Sequence, residues 1–286
     1  MFNDIYLVNS AYFQLLKSSL ENMAGKIDIS SIKYQLDAVE KTFLPNQSDY
    51  CAVSQYINQY IKEIQQSYKQ AVDLLLQIER DKKANRRYAA IMMEIDWPPV
   101  LDIPSAAIYE IINLYDSMPI EEFRREIDSS LIEFYDQDEL SQILEEWKTI
   151  KILERRIGIL EDIIIGHNLG KFNLTIPTAL SQIEGILGDI YNHLGKMKGL
   201  HRDNYLTELF NHYIFNLPEL SAVPLIWKVY EGFEWGKPVP SHINRHAILH
   251  GFNTDYGYRI NSLKCILLLD YIIQHCRKKL EDEERG

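Results

Sequence analysis

A short segment near the C-terminus places an arginine ahead of a histidine in a spacing that suits phosphodiester chemistry. Arg245 precedes His250 by five positions, and three of the chain's eight histidines lie within residues 242–250. Arginine carries a permanent charge on a planar fork that can hold phosphoryl oxygens. Histidine titrates near neutral pH and can accept or donate a proton. Arg245 and His250 could therefore bind and cleave a phosphodiester.

Zinc binding is the other chemistry that this segment could support. His242, His246 and His250 would share one face if the segment were helical, and two of them could bind the metal. However, no Asp, Glu or Cys lies on that face, and Pro240 stands just upstream. Serine-hydrolase and phosphate-loop motifs are also missing from the sequence. The sequence therefore predicts no metal site and no cofactor.

The same residues also allow a structural interpretation. Glu184 stands between isoleucines in an apolar helical pattern, and a buried carboxylate there needs a partner. Arg245 is the expected partner, although it could instead pair with Asp255. The contact with Glu184 could orient a site or only join two helices, and His250 could cap a short helix through its backbone.

The elements that would position these residues are helices along almost the whole chain. Apolar residues recur at three- and four-residue spacing, no strand alternation is present, and the fold is predicted to be all-α. One long helix is expected over 137–167, with a C-cap at Asn168-Leu169-Gly170. Thr175 is expected to cap the next helix, which continues to Leu194. The other helices are expected at 49–78, 105–117, 119–134, 202–215, 217–231, around the histidines, and at 262–279 after an Asn261 cap.

Composition and one proline-rich segment suggest how the chain is organised. The 46% hydrophobic content can supply a substantial core. Residues 97–99, Trp-Pro-Pro, interrupt the helical pattern, and a linker is expected at 95–104. This divides an N-terminal helical region, 1–100, from a C-terminal helical domain, 101–286. The net charge of −11 argues against a broad electrostatic grip on nucleic acid, although a local basic pocket remains compatible with it.

Cysteine usage and hydropathy bear on localisation. The three cysteines form no CxxC pair, which fits a reducing cytoplasm. The first residues carry no basic stretch followed by an apolar run, so no signal peptide is predicted. No apolar run is long enough for a bilayer, and no membrane association is expected. The sequence therefore predicts a cytoplasmic protein.

The segment Arg245-His246-Ala247-Ile248-Leu249-His250 resembles the signature of the HEPN superfamily, whose members are all-α domains and often ribonucleases. That signature is an Arg, four to six residues and a His, commonly with a polar residue directly after the Arg. Residues 244–271 also look like the C-terminal block of a group of uncharacterised bacterial proteins, and residues 176–186 give the same impression. The resemblance covers roughly residues 138–280.

The resemblance implies a metal-independent endoribonuclease that leaves 2′,3′-cyclic phosphate ends. It assigns phosphate stabilisation to Arg245 and acid–base transfer to His250, with His246 and Asn244 as candidate orienting groups. It also implies an RNA substrate and a homodimer that joins two such sites. A toxin or anti-phage effector with an antitoxin or defence-system partner is the role it suggests.

Other interpretations stay open at this stage. Tyr256, Tyr258 and Arg259 follow the motif and could contact RNA bases, or the tyrosines could pack on the last helix. The chain could also be a non-catalytic HEPN-like module that binds a nucleotide, RNA or protein. A third possibility is a helical interaction scaffold whose N-terminal half is the working surface.

Overall fold

The computed structural model describes residues 47–100, 103–211 and 219–285. All regular structure in these ranges is helical, which confirms the all-α fold. The chain divides into two compact units between Arg80 and Asp81, and the first described helix contributes residues to both. No described helix is long and apolar enough to cross a membrane.

Ten α-helices follow one another through the described ranges. They are α1 Gln47–Glu94, α2 Ser105–Ser117, α3 Ile120–Phe134, α4 Gln137–Lys148, α5 Ile157–Asn168, α6 Phe172–Ile190, α7 Gly199–Asn211, α8 Glu219–Tyr230, α9 Arg245–Leu249 and α10 Arg259–Arg285. A 3-10 turn, Lys151–Arg156, joins α4 to α5. The helix expected at 217–231 corresponds to α8, and the short helix expected around the histidines corresponds to α9.

The core of the second unit is built around α10. This helix packs against α3, α5, α6 and α7, and its residues 261–269 are all buried. A mainly apolar stretch of helix that is buried on every face has to be enclosed by other elements. The buried apolar side chains of α10 are Leu263, Cys265, Ile266, Leu267, Leu268, Leu269, Tyr271, Ile272, Ile273 and Cys276.

The single helix expected over 137–167 is wrong, because the chain leaves the helix after Lys148. Ile150 has extended backbone, with φ −92° and ψ 105°. The Thr149 hydroxyl donates to the carbonyl of Glu146 at 2.7 Å, and so it competes for a backbone carbonyl that helical hydrogen bonding would use. Consecutive β-branched residues favour this break, since their χ1 freedom is reduced in a helix. The apolar spacing continues through the break and hides it.

The junction between α5 and α6 is tighter than expected. Gly170 has φ +69°, and the Lys171 amide donates to the Gly166 carbonyl at 2.8 Å, which confirms the predicted glycine C-cap. The expected Thr175 cap is wrong, because α6 already begins at Phe172. Thr175 lies inside the helix, and Asn261 likewise lies inside α10 rather than before it.

Residues 97–99 are buried in the second unit rather than exposed as a linker. The Trp97 indole is fully buried and donates to Asp128 Oδ1 at 2.7 Å. Lys264 of α10 lies over the Trp97 ring at 4.8 Å and donates to the Ile95 carbonyl at 3.4 Å. These contacts tie the segment to α3 and α10, while a domain boundary at residue 100 stays a prediction.

Replacing Trp97 with alanine should destabilise the second unit strongly. The loss of a fully buried indole should lower the free energy of unfolding by about 3–5 kcal/mol. The matched control is Trp235→Ala, because the Trp235 side chain is 73% exposed and its removal should cost under about 0.5 kcal/mol. Urea denaturation followed by circular dichroism measures both. Equal losses would contradict the burial of Trp97.

Acid should also destabilise this unit through a buried histidine. His167 of α5 is buried, and its Nδ1 lies 2.8 Å from the Ser262 hydroxyl. Burial, together with the charge of Arg259, lowers the pKa of His167 to about 4. The unfolded chain takes up this proton near pH 6.5, so the stability is complete above that pH and is lost as pH falls toward 4. The loss from this residue should reach about 3 kcal/mol.

The measurement is the free energy of unfolding of wild type and His167→Gln between pH 7 and pH 4. The variant lacks the titrating group, so its disadvantage at pH 7 should shrink as the solution is acidified. His275, whose pKa burial also lowers to about 4, remains in both proteins and leaves a common acid sensitivity. Parallel pH profiles for the two proteins would show that His167 does not contribute.

Candidate functional site

Asn244 fixes the start of α9, the helix that begins with Arg245. Its side-chain oxygen accepts a hydrogen bond from the Ala247 amide at 2.9 Å, which is N-cap geometry. Its amide nitrogen donates to the carbonyls of Lys228 and Glu231 at 3.1 and 2.9 Å, at the end of α8. The residue is fully buried. Asn244 therefore positions Arg245 through the backbone and does not face a ligand.

Arg245 contacts the carboxylate that the sequence suggested. Its Nη2 donates to Glu184 Oε2 of α6 at 3.1 Å, which confirms this pairing. Arg202 of α7 lies 3.7 Å from the other oxygen of Glu184 and also pairs with Asp203 at 2.8 Å. Glu184 is thus shared by two guanidinium groups from different helices. Asp255, the alternative partner, instead accepts from the Tyr258 hydroxyl.

Tyr230, at the end of α8, lies against both arginines. The Cζ atoms of Arg202 and Arg245 are 4.1 and 5.4 Å from its ring centroid, within cation–π range. Burial and the nearby charge of Glu184 raise the pKa of Tyr230, so its hydroxyl stays protonated. That hydroxyl and Arg245 Nε are buried and have no hydrogen-bond partner among the described residues. Two donors at this point therefore lack acceptors.

His246 of α9 and His250, the residue that follows this helix, lie next to this arginine cluster. The His246 and His250 ring centroids are 6.2 Å apart with the planes 14° from parallel, and His246 is 6.4 Å from the Tyr230 ring. Burial, followed by the charges of Arg245, Arg202 and His250, lowers the pKa of His246. His246 is therefore neutral at pH 7 and can accept a proton. His250 has an exposed side chain.

The backbone of His250 ends α9, as the structural interpretation expected. Its amide donates to the His246 carbonyl at 3.0 Å. Since only the amide is used, the exposed imidazole remains accessible to a ligand. His242 lies before α9, so the three-histidine helix face is not formed. The described residues contain no group of three His, Cys, Asp or Glu placed to hold a metal ion.

Tyr256 has a packing role at the opposite end of α6 from Glu184. Its hydroxyl donates to the Asn173 carbonyl at 3.2 Å. Pro177 lacks the amide that would normally bond to this carbonyl in the helix, and Tyr256 replaces it. At a rise of about 1.5 Å per residue, Asn173 and Glu184 are about 16 Å apart along the axis. The structure therefore does not bring Tyr256 to the carboxylate that Arg245 contacts.

Tyr258 and Arg259 also make contacts away from Arg245. The Tyr258 hydroxyl donates to Asp255, and Arg259 donates to the Ile132 carbonyl of α3 at 3.4 Å. Both side chains are exposed. Their proposed contact with RNA bases stays a prediction, since their described contacts are with the protein itself.

Several residues at the site were not selected from the sequence. Arg202 and Tyr230 lie on other helices, and no spacing relates them to Arg245. Three rings beside His250, Phe233, Trp235 and Phe252, form what we call the aromatic cluster. The density of aromatics over residues 230–235 is the one sequence signal that could have suggested it.

Gly185 allows a third arginine to lie across α6 beside Glu184. A Cβ atom at this position would be 2.5 Å from Arg156 Nη1. Arg156 donates to Gln182 Oε1 and to Asp189 Oδ2, each at 2.9 Å. This guanidinium fixes the 3-10 turn against α6, one residue from the carboxylate that binds Arg245.

Comparison of the chain with known protein families, with curated proteins and with solved structures found no match.

Asn244→Ala should destabilise the protein because three buried hydrogen bonds are lost at once. We expect the free energy of unfolding to fall by about 2–3 kcal/mol. The matched control is Asn253→Ala, which removes two exposed bonds, one to the His242 carbonyl and one from the Asp255 amide, and should cost about 1 kcal/mol. Thermal denaturation measures both variants. If Asn244→Ala were as stable as the control, the cap would not be what holds α8 and α9 together.

Proposed function

We propose that this chain is a metal-independent endoribonuclease of the HEPN type, with Arg245, His246 and His250 as its active groups. The observation that carries the proposal is the arrangement at α9, where an arginine and two imidazoles adjoin one another. The Arg245 side chain is partly exposed, and a guanidinium is a donor that phosphoryl oxygens bind strongly.

The proposed reaction breaks one P–O bond and needs no co-reactant. The ribose 2′-oxygen attacks the adjacent phosphorus and loses its proton, while the 5′-oxygen leaves and gains one. A 2′,3′-cyclic phosphate and a 5′-hydroxyl result. His246 is suited to accept the first proton because its lowered pKa keeps it neutral. His250, with its ring 6.2 Å away, supplies the second.

Arg245 stabilises the charge that develops on the phosphoryl oxygens. To do so it has to exchange part of its contact with Glu184 for the phosphate. Arg202 makes this exchange less costly, because it stays near the second oxygen of Glu184 and the carboxylate keeps a cation. The shared carboxylate thus orients Arg245 before the substrate binds.

The biological role that we propose rests on the resemblance alone. It is that of a cytoplasmic toxin or anti-phage effector acting on RNA as a homodimer, with an antitoxin or defence-system protein as a further partner. A dimer would place two arginine clusters in one cleft. This would raise the local positive charge of a chain whose net charge is −11.

A non-catalytic HEPN-like module that binds RNA, a nucleotide or a protein is the second candidate. The ion pair between Arg245 and Glu184 favours it, because the carboxylate already offsets the charge that a phosphate would use. In that case the residues of α9 would contribute to binding or to stability but not to cleavage.

Cleavage of total bacterial RNA in EDTA by the purified protein tests the proposal. Wild type should give fragments with cyclic phosphate ends. Arg245→Ala should cleave about 10²–10³-fold more slowly, since it removes a charged donor from the transition state. His250→Ala should lose about 10²–10⁴-fold by removing a proton donor. His242→Ala, which removes an exposed histidine outside α9, should cleave like wild type.

Arg245→Lys separates a catalytic role from a structural one. It retains the charge beside Glu184 but lacks the planar fork, so it should fold like wild type and still cleave slowly. Chelator-resistant cleavage that persists in His250→Ala would disprove its role. Intact RNA with wild type, together with RNA binding that depends on Arg245, would favour the non-catalytic module.

A further inference from the structure

The aromatic cluster is continuous with the residues proposed to transfer protons. The Phe233 ring centroid lies 6.1 Å from that of His250. Phe233 and Phe252 are stacked, with centroids 4.9 Å apart and planes 19° from parallel. Trp235 meets Phe252 edge to face at 5.0 Å and 73°. The three rings thus form one surface that begins at His250.

Much of this surface remains in contact with solvent. The Trp235 side chain is 73% exposed, and Phe233 and Phe252 are half-buried. A single exposed aromatic residue needs no explanation, but three that hold one another in place beside an imidazole pair form a preorganised apolar surface. A flat apolar ligand could cover it without any rearrangement of the backbone.

Charge around the aromatic cluster indicates which part of a nucleotide it suits. Glu231 and Glu234 are exposed on the same segment, and Lys237 pairs with Glu234 at 2.6 Å. One carboxylate is therefore left without compensation from Lys237, and it would repel a phosphate. An uncharged nucleobase would not be repelled, whereas the phosphate fits better beside the Arg245 guanidinium.

We propose that Phe233, Trp235 and Phe252 form a base-stacking subsite that holds a nucleobase of single-stranded RNA next to the cleaved phosphate. The inference rests on the proposed function and specifies its substrate. Single strands are favoured because only unpaired bases offer a free face for stacking. Stacking on rings makes few demands on base identity, so the subsite accepts different sequences.

Binding of an RNA oligonucleotide with 2′-O-methyl groups tests the subsite, because this RNA lacks the attacking hydroxyl and cannot be cut. The same oligonucleotide with central abasic positions is measured beside it by fluorescence anisotropy. Trp235→Ala should weaken binding of the intact oligonucleotide about tenfold and leave the abasic one unchanged. Trp227→Ala is the matched control, since it removes a 51% exposed tryptophan outside the aromatic cluster, and should change neither.

The outcomes separate this inference from the proposed function. Cleavage by wild type with equal RNA binding by Trp235→Ala would overturn the subsite alone. Base-dependent binding that requires Trp235, without cleavage of unmodified RNA, would support the subsite and overturn the nuclease. If Trp235→Ala weakened binding of the intact and the abasic oligonucleotide equally, the base-stacking subsite would also be overturned, because the lost affinity would not come from a base.

A membrane surface is the other ligand that exposed aromatic rings could contact. Vesicles of phosphatidylcholine with phosphatidylglycerol, added to wild type and Trp235→Ala, distinguish the two by tryptophan emission. We expect no Trp235-dependent blue shift with vesicles. A shift that vesicles cause and the oligonucleotide does not would overturn the base-stacking subsite.

Discussion

Enclosure of α10 is the constraint on which the second unit depends. Residues 261–269 of this helix are buried on every face, and α3, α5, α6 and α7 surround them. Two polar side chains inside this unit are bonded: Trp147 donates to Asp270 at 2.7 Å, and Lys264 donates to the Ile95 carbonyl. Because α6 and α7 both pack against α10, Arg202 lies close to Glu184. Arg245 then contacts the same Glu184 carboxylate.

The polar cluster at α9 is then a consequence of helix packing and not of one local motif. Glu184, Arg202, Tyr230 and Arg245 come from four different helices. Each pairwise contact is half-buried or buried, so removal of one charge would leave its partner poorly solvated. The exposed His250 and the aromatic cluster lie at the solvent side of this arrangement. Preorganised charge of this kind is what the proposed stabilisation of a phosphoryl group would use.

The sequence predicted what depends on spacing and missed what depends on distant packing. Helices α2 and α3 matched closely because Pro119 and the apolar repeat mark their ends. The break at Ile150 was missed because the apolar repeat runs through it. The contact of Arg245 with Glu184 was predictable since a carboxylate in an apolar pattern needs a cation. Arg202 has no such signal, because only the three-dimensional arrangement of α6 and α7 brings it to Glu184.

Gly185 shows how an absent side chain can fix the position of a present one. The space that its hydrogen leaves is filled by the Arg156 guanidinium, which bonds to residues on either side of it along α6. A side chain at position 185 would have to push the guanidinium away from both of these acceptors. The missing side chain at Gly185 thus allows the 3-10 turn to be held against α6, one residue from the carboxylate that Arg245 and Arg202 share.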